Sequence, residues 1–287
     1  MIARGDKLDI EALKAFRIAA ELGSISQAAE KLNYSQSNVT MKIAKLEEQL
    51  QIKLLYRHNR GCHMTTKGEE LYRYAVKIFH TMEQAENAMQ NDDSPRGTLH
   101  IGSIETTAAI HLPNVLTKYS EGFPEVELQV RSQPTAPLIE QVLQHQLDGA
   151  FISGPIEHSQ LNKYVVFNEE LVLIYAKGKK TLLENATILV FRSGCSYRFQ
   201  FEKYLREENI KTYRIMELGS LEAILGCVNA GLGITLLPKS VYTRYSRYFN
   251  LAFESLHEKY AVVPTEFIFR ADNPSVALKR FCDLLES

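Results

Sequence analysis

The run Ser35-Gln36-Ser37-Asn38-Val39-Thr40-Met41-Lys42 holds the side chains best suited to a chemical task, and the task is reading DNA, not making or breaking bonds. Gln and Asn amides pair in bidentate fashion with adenine, small polar side chains approach base edges, and the free amides at a helix start attract phosphate. Ser35, Gln36, Ser37, Asn38, Thr40, Met41 and Lys42 are therefore candidate DNA contacts. Charge supports this. Between positions 31 and 67 stand Lys31, Lys42, Lys45, Lys53, Arg57, Arg60 and Lys67 against only Glu47 and Glu48, although the 287-residue chain has a net charge of −1. A discrete basic patch on a weakly acidic protein suits a DNA-reading module, because the remaining surface should not attract phosphate indiscriminately.

Other chemistries find little support. The eight histidines show no HxxxH or HExxH spacing, GCSYR lacks the second glycine of a nucleophile elbow, and Gly231-Leu232-Gly233 is not a dinucleotide fingerprint. Cys62, Cys195, Cys227 and Cys282 are scattered without a CxxC pair, so neither a metal site nor a disulfide framework is expected. We expect no catalytic residue, no metal and no cofactor apart from a small-molecule effector. The N-terminus lacks the apolar core of a signal peptide and no stretch is apolar enough to span a membrane, so a cytoplasmic protein without a membrane partner is expected.

The elements that must position these residues are legible in sequence. Asp9, a stripe of Leu13, Phe16 and Ala20, and Gly23 give a capped helix. Ser24 with Gln27 opens a short second helix ending near Asn33, whose paired alanines Ala28 and Ala29 permit a close crossing. Ser35 caps a third helix, with Val39, Ile43, Leu46 and Leu50 on the inner face and Ser37, Asn38, Met41 and Lys45 outward. The segment IKLLYRHNRGCHMTTKG then reads as a wing carrying Arg57 and Arg60 toward a DNA backbone or minor groove. Residues 1–65 are thus expected to form a winged helix-turn-helix, all-α with a small β wing.

Thr66 and Glu69 have capping-box spacing, and Leu71, Ala75, Ile78, Met82, Ala85 and Met89 recur at steps of four and three. That heptad seam predicts a linker helix over 66–90, roughly 36 Å long at about 1.5 Å per residue, buried by pairing with a second copy. The polar stretch 91–97 reads as a hinge.

From 98 to 287 short apolar runs alternate with helical patterns: TLHIG, VELQV, GAFIS, ELVLIYA, TILVF, TYRIM, GITLLP and a final EFIFR before a helix capped near Asn273. The alternation predicts parallel sheets with covering helices in two α/β lobes, lobe I over about 98–164 and 270–287 and lobe II over about 165–269. Ligands in open α/β sheets lie beyond the carboxyl ends of strands. That places a small polar anionic effector among Ser103, Thr106, Thr107, Ser132, Gln133, Ser193, Cys195, Ser196, Tyr197, Arg198 and Ser220, with Arg198 as countercharge.

The residues from Phe16 to Gly68, including Gly23-Ser24, Gln27-Ala28-Ala29, Leu32, Ser35-Gln36, Val39, Ile43, Leu46-Glu47, Leu50, Leu54, Arg57 and Thr65, resemble the DNA-binding signature of LysR-type transcriptional regulators. Ser37, Asn38, Gln51 and Leu55 depart from that pattern, which often has proline, a small residue, glycine and phenylalanine there. GTLHIG, LDGAFI and NAGLGITLLP resemble the family's sensor domain. The resemblance implies a C-terminal domain like the type 2 periplasmic-binding-protein fold and a linker helix that dimerises. It also implies a tetramer contacting an inverted repeat in double-stranded DNA, and RNA polymerase as downstream partner. Two alternatives remain: a redox-responsive regulator sensing through Cys195, and a solute-binding protein or enzyme on the C-terminal domain.

Overall fold

The computed structural model describes residues 8–58, 61–89, 94–179, 183–273 and 275–286. The chain divides into two compact units, Met1–Ala88 and Met89–Ser287. Arg60 and part of the expected hinge, 91–93, lie outside the described residues.

The first unit contains α1 (Ile10–Leu22), α2 (Ile25–Leu32), α3 (Gln36–Leu50), β1 (Leu55–His58), β2 (Gly61–Met64) and α4 (Thr66–Ala88). Helix starts follow the side chains that accept otherwise orphaned amides. Asp9 accepts from the N–H of Glu11 and Ala12 at 2.9 and 3.2 Å, Ser24 from Gln27 at 3.3 Å, and Ser35 from Asn38 at 3.2 Å. The first three helices stop where the chain turns left-handed, at Gly23, Asn33 and Gln51, with φ of 62°, 54° and 53°. Gln51 thus holds a conformation that glycine adopts without a Cβ penalty. Leu13, Phe16, Ala28, Val39, Ile43 and Leu46 close the core.

One cap differs from expectation. Thr65, not Thr66, opens α4: its hydroxyl accepts the Gly68 N–H at 2.9 Å and donates to the Lys53 carbonyl at 2.7 Å. A Cβ at Gly68 would fall 2.1 Å from the Leu54 carbonyl oxygen, so the helix meets the wing strand at a distance only glycine allows.

The second unit runs β3 (Gly97–Ser103), α5 (Glu105–Ile110), α6 (Leu112–Gly122), β4 (Val126–Ser132), α7 (Thr135–Leu143), β5 (Gly149–Ser153) and β6 (Leu161–Ala176). It continues with β7 (Thr187–Val190), α8 (Ser196–Glu207), β8 (Arg214–Glu217), α9 (Leu221–Asn229), β9 (Thr235–Pro238) and α10 (Lys239–Tyr245). Last come β10 (Leu251–Ser255), α11 (Glu258–Ala261), β11 (Val262–Arg270) and α12 (Val276–Glu286). α12 is opened by Ser275, which accepts the Leu278 N–H at 3.2 Å, two residues beyond the expected Asn273.

The expectation of parallel sheets is corrected to mixed ones. β3 is parallel to β4 and β5, and β7 to β8, but β11 is antiparallel to β5 and β6, and β9 and β10 are antiparallel to β6. The reason is β6, whose residues Leu161–Glu170 pair with β11 and whose residues Leu171–Ala176 pair with β9 and β10. One strand therefore belongs to both lobes, with its partners changing at Glu170/Leu171. The lobe limits shift accordingly, because β11 hydrogen-bonds to β5 from Thr265 to Phe269 and lies in lobe I, not inside a second lobe reaching 269. Glu169 sits buried at the crossing, meeting His111 of lobe I at 2.5 Å and accepting from Ser240 of lobe II at 2.9 Å. Phe151, Phe267 and Phe281 pack together in lobe I, while Ile188, Ile224, Leu225 and Leu236 fill lobe II.

Candidate nucleic-acid interface and effector cleft

The start of α3 is an exposed polar ledge. Gln36, Ser37 and Met41 are exposed, Met41 by 64%, while Asn38, Thr40 and Lys42 are half-buried. Ser35 caps the helix and its hydroxyl meets that of Ser37 at 3.0 Å, so these two hydroxyls also brace the ledge. Lys42 lies 5.5 Å from the ring centroid of Tyr34, whose hydroxyl donates to Glu11 at 2.9 Å, and this chain of contacts limits where the ammonium can swing. Behind the ledge, Glu47 is only 4% exposed and receives the N–H groups of Leu54 and Leu55 at 2.8 and 3.2 Å and Lys53 at 2.9 Å. Burial alone would raise its carboxyl, but the hydrogen bonds from Lys53 and the two amides win and hold it below the usual range. The recognition helix is thereby fastened to the wing.

On the wing Arg57 is exposed, as are Tyr56, His58 and His63. The His63 ring lies 5.2 Å from Tyr56 and 5.4 Å from His58, forming an aromatic surface that the sequence reading did not single out. Period-two alternation in a four-residue strand, with 56 and 58 on one face, was the available signal.

The linker helix corrects the expectation of a free seam along its whole length. Ala75 is fully buried, and Leu71 and Ile78 pack on the same core as α1 and α3, so these three are spent within the winged helix. Met82, Ala85 and Met89 are exposed, as is Tyr74 by 62%.

In the second unit a cleft of about 270 Å³ opens between the lobes at the ends of β3, β4 and β7. Of the expected residues, Thr106, Ser132, Gln133, Cys195 and Tyr197 line it. Thr106 donates to the Tyr197 hydroxyl at 3.2 Å, and burial pushes that phenol far above its ordinary range. Ser103, Thr107, Ser193, Ser196, Arg198 and Ser220 do not line it. Ser103 is buried and donates to the Ile104 carbonyl at 3.0 Å, Thr107 is buried, and Ser220 caps α9 by accepting from Ala223 at 3.2 Å. Arg198 as countercharge is corrected: it is spent on Glu202 at 2.9 Å, Glu217 at 2.7 Å and the Phe191 carbonyl at 3.4 Å.

The charged groups that do line the cleft are Arg192 and Glu105. Glu105 opens α5 just after the first strand and Arg192 directly follows TILVF, one residue before the loop marked there; a preference for hydroxyls passed them over. Ile104, Pro134, Phe191, Leu218 and Gly219 complete the walls. Cys195 borders the same space, where burial raises its thiol above the usual value despite hydrogen bonds from the amides of Arg198 and Tyr197. A thiol held protonated is a poor nucleophile toward oxidants, which counts against the redox alternative.

A cationic helix-turn-helix unit followed by a two-lobed domain with a polar cleft defines a ligand-responsive DNA-binding protein, and comparison with known proteins names the kind. Residues 10–69 match the bacterial regulatory helix-turn-helix protein model of the lysR family, and residues 92–287 match the LysR substrate binding domain. The chain is 46% identical over 270 residues to the transcriptional regulator GltR of Bacillus subtilis, covering 92% of this chain and 91% of the relative. It is 42% identical to YofA of Bacillus velezensis, covering 91% of each. Among solved structures, a full-length, singly substituted OxyR from Pseudomonas aeruginosa superposes with a TM-score of 0.73 at 20% identity, covering 98% of this chain and 94% of that one. Full-length CbnR in complex with its target DNA gives 0.70 at 22%, covering 97% and 99%. The chain belongs to the LysR family of bacterial transcriptional regulators, which bind DNA and are not enzymes. Among the described residues no helix is long and apolar enough to cross a membrane.

Proposed function

We propose that this regulator acts in the cytoplasm, reads a promoter inverted repeat with α3, and changes its grip on DNA when a small metabolite bearing an anionic group enters the inter-lobe cleft. The observation that carries the effector assignment is Arg192, which lines the cleft and has no hydrogen bond or ion pair with its side chain among the described residues. A guanidinium that faces a concave, partly apolar space without a protein partner keeps its full set of donors for an entering anion. The exposed Tyr74, Met82 and Ala85 of α4, with Met89 just past its end, supply the face for pairing with a second copy, and two such dimers form the tetramer. Effector binding shifts the lobes at β6 and β11, and with them the spacing of recognition helices, the bend of the promoter and the access of RNA polymerase. Footprinting and a DNA-bending assay with and without a bound ligand test the mechanism: both should change, and an unaltered footprint and bend at saturating ligand would sink it.

A further inference from the structure

Glu105 and Arg192 not only share the cleft but address the same short turn of lobe II. The Glu105 carboxylate accepts the Leu221 N–H at 2.6 Å, and the Arg192 guanidinium lies 3.5 Å from where a Cβ on Gly219 would stand. Two residues of chain span at most about 7 Å, so opposite charges flank one turn. Yet no ion pair joins them among the described residues, and beyond the Leu221 amide the Glu105 carboxylate has no other hydrogen bond. Two opposite charges that line one cleft without pairing are complementary to a ligand that carries both signs.

The surroundings sort the two ends. At the Arg192 end the unpaired guanidinium favours an anion. Glu105 would repel a ligand that was anionic throughout. Burial raises its carboxyl above the usual range, with Glu222 adding to the effect against the Leu221 hydrogen bond, and an ammonium beside it would favour the ionised form. Ile104, Phe191 and Leu218 offer apolar wall for a short side chain. The cleft volume of about 270 Å³ suits one small metabolite.

We propose that the ligand is a free α-amino acid, its carboxylate held by Arg192 and its ammonium by Glu105. The proposal rests on the reading of this cleft as the effector site. The test titrates the full-length protein calorimetrically with each protein L-amino acid and with matched des-amino acids such as propionate, succinate and glutarate. At least one amino acid binds, and its des-amino counterpart binds about 10-fold more weakly or worse. Glu105→Gln keeps an acceptor for the Leu221 N–H; it weakens the amino acid by about 10-fold and leaves the des-amino anion no weaker, whereas Arg192→Gln weakens both. If no amino acid binds, or if Glu105→Gln binds the amino acid as well as the parent protein does, the amino-acid assignment is overturned. In that case a des-amino anion that still needs Arg192 leaves the effector site standing. Binding that survives both substitutions unchanged overturns the cleft itself as the site.

Discussion

The recognition helix and the inter-lobe cleft are both polar surfaces made for binding, but they are assembled in opposite ways. The ledge on α3 takes its candidate contacts from consecutive residues, Ser35 to Lys42, and one helical period decides which of them face outward. The cleft joins Glu105 to the Leu221 amide across 116 positions of sequence, and brings Gln133 and Arg192 to the same space. A local surface is fixed by spacing, whereas a convergent one is fixed by which charges the neighbouring elements have already consumed. Arg192 and Arg198 make the point: they lie within one loop and helix start, and only the second is neutralised, by Glu202 and Glu217.

Breaking the support of the ledge should have the largest effect. Glu47→Ala strands two buried amides, each worth about 1–3 kcal/mol, so chemical denaturation should show about 3 kcal/mol lost from the first unit, with ligand binding by the second unit intact. Because the folded carboxyl lies below its ordinary range, its stabilising contribution is present above the unfolded pKa and is lost as pH falls through the folded one. Glu47→Gln should accordingly flatten the acid side of the stability profile, and an unchanged acid limb would contradict the role given to this residue. In the cleft, Arg192→Gln should weaken effector binding by roughly 10–100-fold, while Arg198→Gln leaves it unchanged; the reverse ranking would restore the sequence-based countercharge.

On the ledge itself, Gln36→Ala should cost about 1–3 kcal/mol on operator DNA and little on random DNA. Arg57→Ala should weaken both alike and reduce the salt slope by about 1. Equal losses for Gln36→Ala on both DNAs would remove its base-reading role. The smallest effect is expected from Gln51→Gly, which relieves a left-handed side-chain conformation and should stabilise the unit by about 1 kcal/mol in thermal denaturation.

The winged helix was legible because its signals are short-range. Asp9, Ser24 and Ser35 cap helices by accepting amides two or three residues ahead, and Val39, Ile43 and Leu46 repeat at the helical period. The failures have a common cause in long-range partners. Ala75 fits a heptad seam, yet it is buried in the winged-helix core, where α4 packs on α1; hydroxyls after strands look like ligand contacts, yet Ser103 and Ser220 serve the backbone. ELVLIYA reads as a strand of its own, but the polar run Asn168-Glu169-Glu170 cut it off from LNKYVVF, the first half of β6, whose partner β11 comes about a hundred residues later.

That shared strand also constrains how the protein can vary. Side chains along a strand alternate with a period of two, so one residue inserted at Glu170/Leu171 would turn everything downstream by half a revolution. Arg192 and Cys195 would leave the space they share with Glu105 and Gln133, and no single compensating substitution would bring them back. Diversification toward new signals is therefore expected to proceed through the residues at strand ends and through loop length, with the sixteen-residue span of β6 acting as a fixed ruler between the two halves.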